Sequence, residues 1–301
     1  MDVLEISGLH KRFGQKEVLK GLNLNVKEHS VYGYIGKNGA GKTTSMKLIL
    51  GLLSQDSGEI RVCGEKVAYG NTPTNRHVGY LPDVPEFYPF MTAGEYLSFC
   101  MDIALDSESE TGKKARIAEL LELVGLDKEK SRIRGFSRGM KQRLGIAQAL
   151  IGRPELLICD EPTSALDPIG RKELLEVLRA VKDETTVLFS THILSDMERI
   201  CTDVAFLNDG VVKKRGSLAD IKTGYRSDRY IVEAERTEDF CRLLELIPGA
   251  FMGKHNQLEF SERETSLEEV LGLFLRLKIR PLRIERLEPT LESVFLEVVE
   301  Q

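Results

Sequence analysis

The chain has 301 residues, a formal net charge of −5, 42% hydrophobic and 30% charged residues, and five cysteines. That length suggests about two domains with an ample core, and the mildly acidic balance argues against a nucleic-acid partner. The cysteines (Cys63, Cys100, Cys159, Cys201, Cys241) are scattered without a C-x-x-C pair, so free thiols are expected, with neither a disulfide framework nor zinc. The N-terminus lacks a basic stretch followed by an apolar core, so no signal peptide is expected, and no apolar run reaches the ~18 residues of a membrane span.

In chain order, strands are predicted at Val3–Ser7, Leu22–Val26 and Ser30–Ile35. A helix follows from Lys42 to Leu50, ended by Gly51 and the polar run Ser54–Gly58. Strands are expected near Glu59–Val62 and His77–Leu81. Thr92-Ala93-Gly94-Glu95 reads as a capping box opening a helix to Ala104. Residues 107–152 look helical, with a break around Lys128–Gly135. Leu156–Cys159 is a continuous apolar run, as in a buried parallel strand. Asp167-Pro168 starts a helix whose buried stripe is Leu174, Leu175, Leu178 and Val181. Val187–Phe189 is a further buried strand. This alternation gives an α/β sheet, with antiparallel strands gathered at the start.

Thr223–Arg229 reads as a linker. Beyond it come a strand (Tyr230–Glu233), a helix (Glu238–Leu246), a strand (Gln257–Phe260) and a helix opened by a box at Thr265-Ser266-Leu267-Glu268. A strand (Leu282–Arg286) and a helix carrying Leu291, Val294, Phe295 and Val298 follow. The expected division is residues 1–222, with a helical subdomain at about 84–152, and a small α+β domain at 229–301.

Gly36-Lys37-Asn38-Gly39-Ala40-Gly41-Lys42-Thr43-Thr44 matches the phosphate-binding loop G-x-x-x-x-G-K-[ST], in the strand–loop–helix context that motif needs. Glycines let backbone N–H groups converge on phosphate oxygens, and the helix N-terminus adds a positive dipole end. Lys42 can reach the β/γ-phosphates, and the Thr43 hydroxyl can ligate Mg²⁺. The apolar strand ending in Asp160-Glu161 places a carboxylate at the strand tip, where ligands bind in such sheets. Asp160 can hold Mg²⁺, directly or through water, and Glu161 can polarise an attacking water.

Phe136-Ser137-Arg138-Gly139-Met140-Lys141-Gln142-Arg143 resembles the signature motif of ATP-binding cassette (ABC) ATPases. The usual form is Leu-Ser-Gly-Gly-Gln; Ser137 and Gly139 are kept, and Arg138 and Met140 depart from it. A serine there can cap the following helix. Ser164-Ala165-Leu166-Asp167 resembles the D-loop that crosses between subunits. His192 resembles the switch histidine, Phe13 the aromatic that stacks on adenine, and Asp83 stands where the family has its Q-loop glutamine. A shorter, charged Asp83 would meet Mg²⁺ directly or through water, or serve as the link to a partner.

The resemblance covers about residues 1–220 and is nearest to ATP-binding subunits of bacterial drug, peptide or ion exporters of the bacitracin-resistance type. The form S-x-G-M-K-Q-R and the tail Pro289–Leu296 carry that narrower likeness. It implies a P-loop NTPase cassette with a RecA-like parallel core, an N-terminal antiparallel β-subdomain and a helical signature subdomain. It further implies that two cassettes bury two ATP molecules head to tail, so that Ser137 and Gly139 of one copy complete the site of the other. Glu161 is then general base or water-orienter, His192 the γ-phosphate sensor, and Lys42 with Mg²⁺ the charge neutraliser. A membrane-spanning permease subunit would receive the work, with this chain peripheral on the cytoplasmic face. Residues Val84–Met91, rich in apolar and aromatic side chains, either meet that partner or belong to the core. The competing readings are a soluble cassette ATPase acting on nucleic acid or ribosomes, and a non-hydrolysing ATP sensor. One cassette with no long coiled coil between Lys42 and Ser137 weighs against the former, and the intact Lys42, Asp160, Glu161 and His192 against the latter.

Overall fold

The computed structural model describes residues 1–70, 73–104, 109–224, 228–234, 237–253 and 257–300. They divide into two compact units: Met1–Ala219 together with Phe295 onward, and Asp220–Val294.

The first unit opens with β1 (Asp2–Phe13) and β2 (Lys16–Lys27), a long antiparallel pair. Both outrun their predicted lengths. Register shifts between Ile6 and Leu9 break the two-residue alternation, and Gly8 takes a left-handed φ of 55° there, so periodicity alone cut each strand short. Next come β3 (Val31–Gly36), α1 (Lys42–Ile49), β4 (Ser57–Val62), β5 (Glu65–Lys66) and β6 (Val78–Leu81). Helices α2 (Ala93–Ala104), α3 (Glu110–Leu123) and α4 (Arg138–Ala149) form the predicted helical stretch. The Thr92 box is present: Thr92 N donates to Glu95 Oε2 at 2.8 Å, and Glu95 N to Thr92 Oγ1 at 3.3 Å. Then follow β7 (Leu156–Asp160), α5 (Pro168–Ala180), β8 (Thr186–Ser190), α6 (Leu194–Ile200), β9 (Asp203–Asn208), β10 (Val211–Ser217) and α7 (Leu218–Gly224), the last crossing the unit boundary.

Two sheets result. One is antiparallel, ordered β2-β1-β4-β5; the other is ordered β10-β9-β3-β8-β7-β6. In the second sheet β9, β3, β8, β7 and β6 run parallel, and β10 pairs antiparallel to β9. Strands β3, β7 and β8 are buried at every position, which explains why they read as unbroken apolar runs. One core joins the sheets: Leu4, Ile6, Leu9, Leu19 and Leu22 of the antiparallel sheet pack with Met46 and Leu48 of α1 and with Tyr34, Ile158, Leu188 and Leu207 of the parallel sheet. That packing fixes the C-terminal ends of β3, β7 and β8 side by side, where ligands gather in α/β sheets.

The second unit contains β11 (Arg229–Ala234), α8 (Thr237–Leu246), β12 (Phe251–Met252), β13 (Leu258–Ser261), α9 (Leu267–Leu277), β14 (Pro281–Arg286) and the start of α10 (Leu291–Glu300). Its antiparallel sheet is ordered β12-β13-β11-β14. Val232, Leu258 and Phe260 of the sheet pack against Leu243, Val270 and Phe274 of the helices. Three expectations shift. The capping box is one residue later than expected: Ser266 Oγ accepts from Glu269 N at 3.3 Å, while Glu269 Oε2 accepts from Ser266 N at 3.0 Å. Thr265 is buried and its hydroxyl donates to the Pro248 carbonyl instead. The expected linker overlaps regular structure: Thr223 and Gly224 end α7, Arg229 begins β11, and 225–227 lie outside the described residues. The expected second domain ran to 301, whereas Phe295 stacks on Phe206 of β9, ring centroids 6.2 Å apart, and belongs to the first unit.

Candidate functional site

Strand β3 ends at Gly36, and the loop Lys37–Gly41 leads directly into α1. Gly41 is the N-cap at φ 112°, and a Cβ there would stand 2.7 Å from Leu19 Cδ2. Only glycine fits, which leaves the backbone N–H groups open to a ligand. Lys42 is only 6% exposed. Its Nζ donates to the Gly36 carbonyl at 2.7 Å and to that of Lys37 at 3.5 Å, and lies 3.7 Å from Glu161 Oε1. The ammonium is thus held at the loop mouth between carbonyls and a carboxylate, the ligands that phosphate oxygens would replace.

Asp160 closes β7, 5% exposed, and one oxygen accepts from Ser190 Oγ at 2.8 Å. Glu161 follows in the left-handed region, φ 49°. Such a backbone costs ~1–3 kcal/mol in a non-glycine residue and persists only where its surroundings impose it. Here the imposing group is Ser190, whose carbonyl and hydroxyl oxygens each accept from Glu161 N at 3.1 Å. The turn directs the Glu161 carboxylate toward His192: Oε2 lies 2.8 Å from Nδ1 and accepts from the His192 backbone N–H at 3.2 Å. A carboxylate can only accept, so Nδ1 carries a proton and Nε2 is left for another partner. Ser190 organises the whole pair. Sequence reasoning gave it no role, and the only signal was a hydroxyl residue where a buried strand ends.

These groups border a cleft of about 410 Å³ lined by Phe13, Lys16, Val18, Lys37, Asn38, Gly39, Gly41, Lys42, Thr43, Thr44 and Glu161. Phe13 is 47% exposed, with Lys11 Nζ 5.4 Å from its ring centroid. An exposed aromatic beside a phosphate loop suits a stacked base. Lys16 and Val18 are lining residues that motif reading missed. Ala40 is buried beneath the loop, its N–H donating to Lys37 O at 3.1 Å.

Eight residues of the expected set are not among this lining. Gly36, Ala40, Asp160 and His192 adjoin it through the loop, β7 and the bond to Glu161, while Ser137, Gly139, Asp167 and Asp83 make their contacts elsewhere. Ser137 caps α4, its Oγ accepting from Met140 N at 3.2 Å. Gly139 lies in the first turn of that helix, where an added Cβ would meet Gly170 Cα at 3.6 Å. Asp167 caps α5 by accepting from Gly170 N at 3.1 Å. Asp83 has its Oδ1 3.5 Å from Arg138, and its carbonyl accepts from Gln142 Nε2 at 2.6 Å. Its carboxylate is thus within ion-pair range of the signature helix.

The donor set suits one hard cation. A buried carboxylate, Asp160, has one oxygen held by Ser190, and the Thr43 hydroxyl residue lines the cleft. Oxygen ligands beside a phosphate loop match Mg²⁺ held jointly by protein and substrate.

A second surface lies on the helical part. Tyr88 and Phe90 are 47% and 59% exposed, while Phe87 packs edge-on against Tyr96 at 5.1 Å. The apolar stretch therefore divides: Phe87 is packed and its neighbours face outward. A groove of about 590 Å³ beside it includes Tyr88, Tyr96, Phe99 and Ile103 in its lining. Among the described residues no helix is long and apolar enough to cross a membrane.

Comparison with known proteins agrees with this geometry. The family described as ABC transporter matches residues 19–164. An uncharacterized ABC transporter ATP-binding protein of Bacillus subtilis (strain 168), YxlF, is 37% identical over 300 residues, covering 99% of both chains. The bacitracin transport ATP-binding protein BcrA of Bacillus licheniformis is 41% identical over 211 residues, 69% of this chain and 67% of its own. Among solved structures, an ATP-binding subunit of an ABC transporter superposes with a TM-score of 0.65 at 34% identity, over 74% of this chain and 93% of that one. The cassette MJ0796, in a dimeric post-hydrolysis state bound to ADP and Pi, superposes with a TM-score of 0.63 at 25% identity, over 71% and 98%.

Proposed function

Because the chain belongs to the ABC transporter ATP-binding family, we propose that it is an ATPase subunit that hydrolyses ATP only as a pair and drives a separate membrane-spanning permease, in an exporter. The observation that carries this reading is a separation. Lys42, Glu161 and His192 form one chain of contacts at a single cleft, yet Ser137 bonds within the start of its own helix and Gly139 abuts Gly170. Each copy then lends its signature helix to the cleft of the other, which a two-fold pair satisfies at both sites at once. The dimeric state of the MJ0796 neighbour supports that arrangement.

In the proposed mechanism the loop N–H groups and Lys42 bind the triphosphate, and Phe13 stacks on the base. Mg²⁺ held by Thr43 and Asp160 would supply neutralisation of the phosphate charge. Glu161 orients the attacking water or takes its proton. His192 holds the Glu161 carboxylate through Nδ1 and offers Nε2 to the γ-phosphate. Ser137 and the N–H groups of the partner's α4 close the far side, since helix N-termini favour anions. Reaction by this class is mainly positioning and charge stabilisation.

Hydrolysis moves the helical part, and the groove beside Tyr88 and Phe99 suits a helix of the permease on the cytoplasmic face, because exposed aromatics over a groove are typical anchors. The likeness to BcrA, a bacitracin transport ATP-binding protein, supports a transport role. The test is ATP hydrolysis per chain against protein concentration: the reading requires a rise from near zero toward a plateau as dimer forms. A constant rate per chain at high dilution, with monomer verified, defeats it.

A further inference from the structure

Away from the ATP cleft, Cys63, His77 and Glu155 bring one ligand atom each within 4.8 Å of one another. They come from three places that are distant in sequence: the turn between β4 and β5, the residue before β6, and the residue before β7. We propose that these side chains bind a borderline divalent transition-metal cation, of which Zn²⁺ is the type, with water completing the coordination.

The donor types carry the choice of metal. A thiolate, an imidazole nitrogen and a carboxylate suit tetrahedral Zn²⁺ and its Co²⁺ analogue, whereas Mg²⁺ and Ca²⁺ require mostly oxygen. The charges also balance, since one thiolate and one carboxylate neutralise a dication. The Glu155 and Glu65 carboxylates, 3.0 and 3.6 Å from the His77 ring nitrogens, place negative charge beside the cluster.

As the side chains stand, His77 accepts through Nε2 and donates through Nδ1 to Glu155, so ligation through Nδ1 requires its proton to move to Nε2. His77 Nδ1 lies 3.0 Å from Glu155 Oε2, and so faces the other donors. Its opposite nitrogen, Nε2, lies 3.6 Å from Glu65 Oε1, and a carboxylate behind a ligating imidazole fixes its tautomer and ring orientation. Arg76 Nε now donates to that nitrogen at 3.0 Å. Arg76 is exposed and also paired with Glu65, so it can keep that pairing while Nε2–H turns toward Glu65. The Glu155 side chain is 52% exposed, which leaves a path for entry.

The turn adds a further point. Cys63 and Gly64 both have positive φ, 49° and 78°, the two-residue hairpin turn in which the first place normally goes to asparagine, aspartate or glycine. A cysteine there is a poor turn former, and metal ligation gives a reason for it. Glu155 directly precedes β7 while Asp160 ends it, so this cluster and the ATP site lie at opposite ends of one strand. A bound cation would tie the hairpin of the antiparallel sheet to the starts of β6 and β7.

The test is Co²⁺ titration of the full chain, reduced and stripped with chelator. One equivalent should bind, giving a thiolate-to-cobalt charge-transfer band and tetrahedral d–d bands. Zn²⁺ should displace it, and Mg²⁺ in excess should not. Cys63→Ser should lose the charge-transfer band with basal ATP hydrolysis unchanged. Glu65→Gln, which removes no ligand, should weaken Co²⁺ binding by about 10–100-fold. Failure of the folded protein to bind stoichiometric Co²⁺, or survival of the band in Cys63→Ser, overturns the proposal.

Discussion

His192 Nδ1 and Glu161 Oε2 are 2.8 Å apart, and the same carboxylate places its other oxygen 3.7 Å from Lys42 Nζ. Glu161 is therefore gripped from two sides, by the phosphate-loop lysine and by the histidine two residues beyond β8. Replacing it with glutamine keeps the shape and removes the basic oxygen. Glu161→Gln should lower kcat by about 10²–10⁴-fold, the range for a lost general base, and leave ATP affinity within a few-fold. Single-turnover hydrolysis alongside equilibrium ATP binding measures both; ordinary turnover would remove Glu161 from its role.

His192→Ala should also lower kcat, while the backbone N–H at 3.2 Å from Glu161 Oε2 remains. Since the two side chains act as one unit, their effects should not add. The double variant Glu161→Gln/His192→Ala should be little slower than Glu161→Gln alone. A rate equal to the product of the two single losses would mean that they act independently.

Ser190 is fully buried and bonded to both carboxylate residues. Ser190→Ala leaves an Asp160 oxygen buried without its donor, which costs about 1–3 kcal/mol. A lowered thermal midpoint and a raised Mg²⁺ requirement for hydrolysis are expected together. A loss of stability with unchanged Mg²⁺ dependence would make Ser190 structural only.

Asp196 of α6 is 1% exposed; burial pushes its carboxyl above the ordinary carboxylate range, while Thr163 and the Arg171 guanidinium pull it back. A raised native value means the folded state holds that proton more tightly. The resulting stability is present at acid pH and is lost as pH rises through the raised value. Wild type should therefore lose stability across that interval relative to Asp196→Asn, and the difference should be flat at higher pH. Urea unfolding of both proteins across the acid range reads it out; a difference independent of pH contradicts it.

The parallel core and the phosphate loop were legible in the sequence because both rest on local chemistry: unbroken apolar runs for β3, β7 and β8, and glycines whose spacing serves one ligand. What was not legible depends on long-range placement. The bulge near Gly8 hid half of β1. Thr265 and Ser266 are equally good caps on paper, and burial of Thr265 decided between them. Asp83 turned toward Arg138, a partner in the signature helix that spacing does not reveal. Cys63, His77 and Glu155 look scattered until three separate elements bring them together.

Pairing of the two copies is tested most directly by mixing two inactive variants. Lys42→Ala spoils a phosphate loop. Gly139→Asp puts a negative charge where the partner's phosphate should lie, in a first helical turn that tolerates an acidic residue. In a mixed dimer one site keeps an intact Lys42 from one copy and an intact Gly139 from the other. Each variant alone should be inactive, and an equimolar mixture should recover up to about a quarter of wild-type ATP hydrolysis, since half of the dimers carry one sound site of two. No recovery at any ratio between folded variants, with nucleotide bound by Gly139→Asp, or full activity of Gly139→Asp alone, would contradict a site shared between copies.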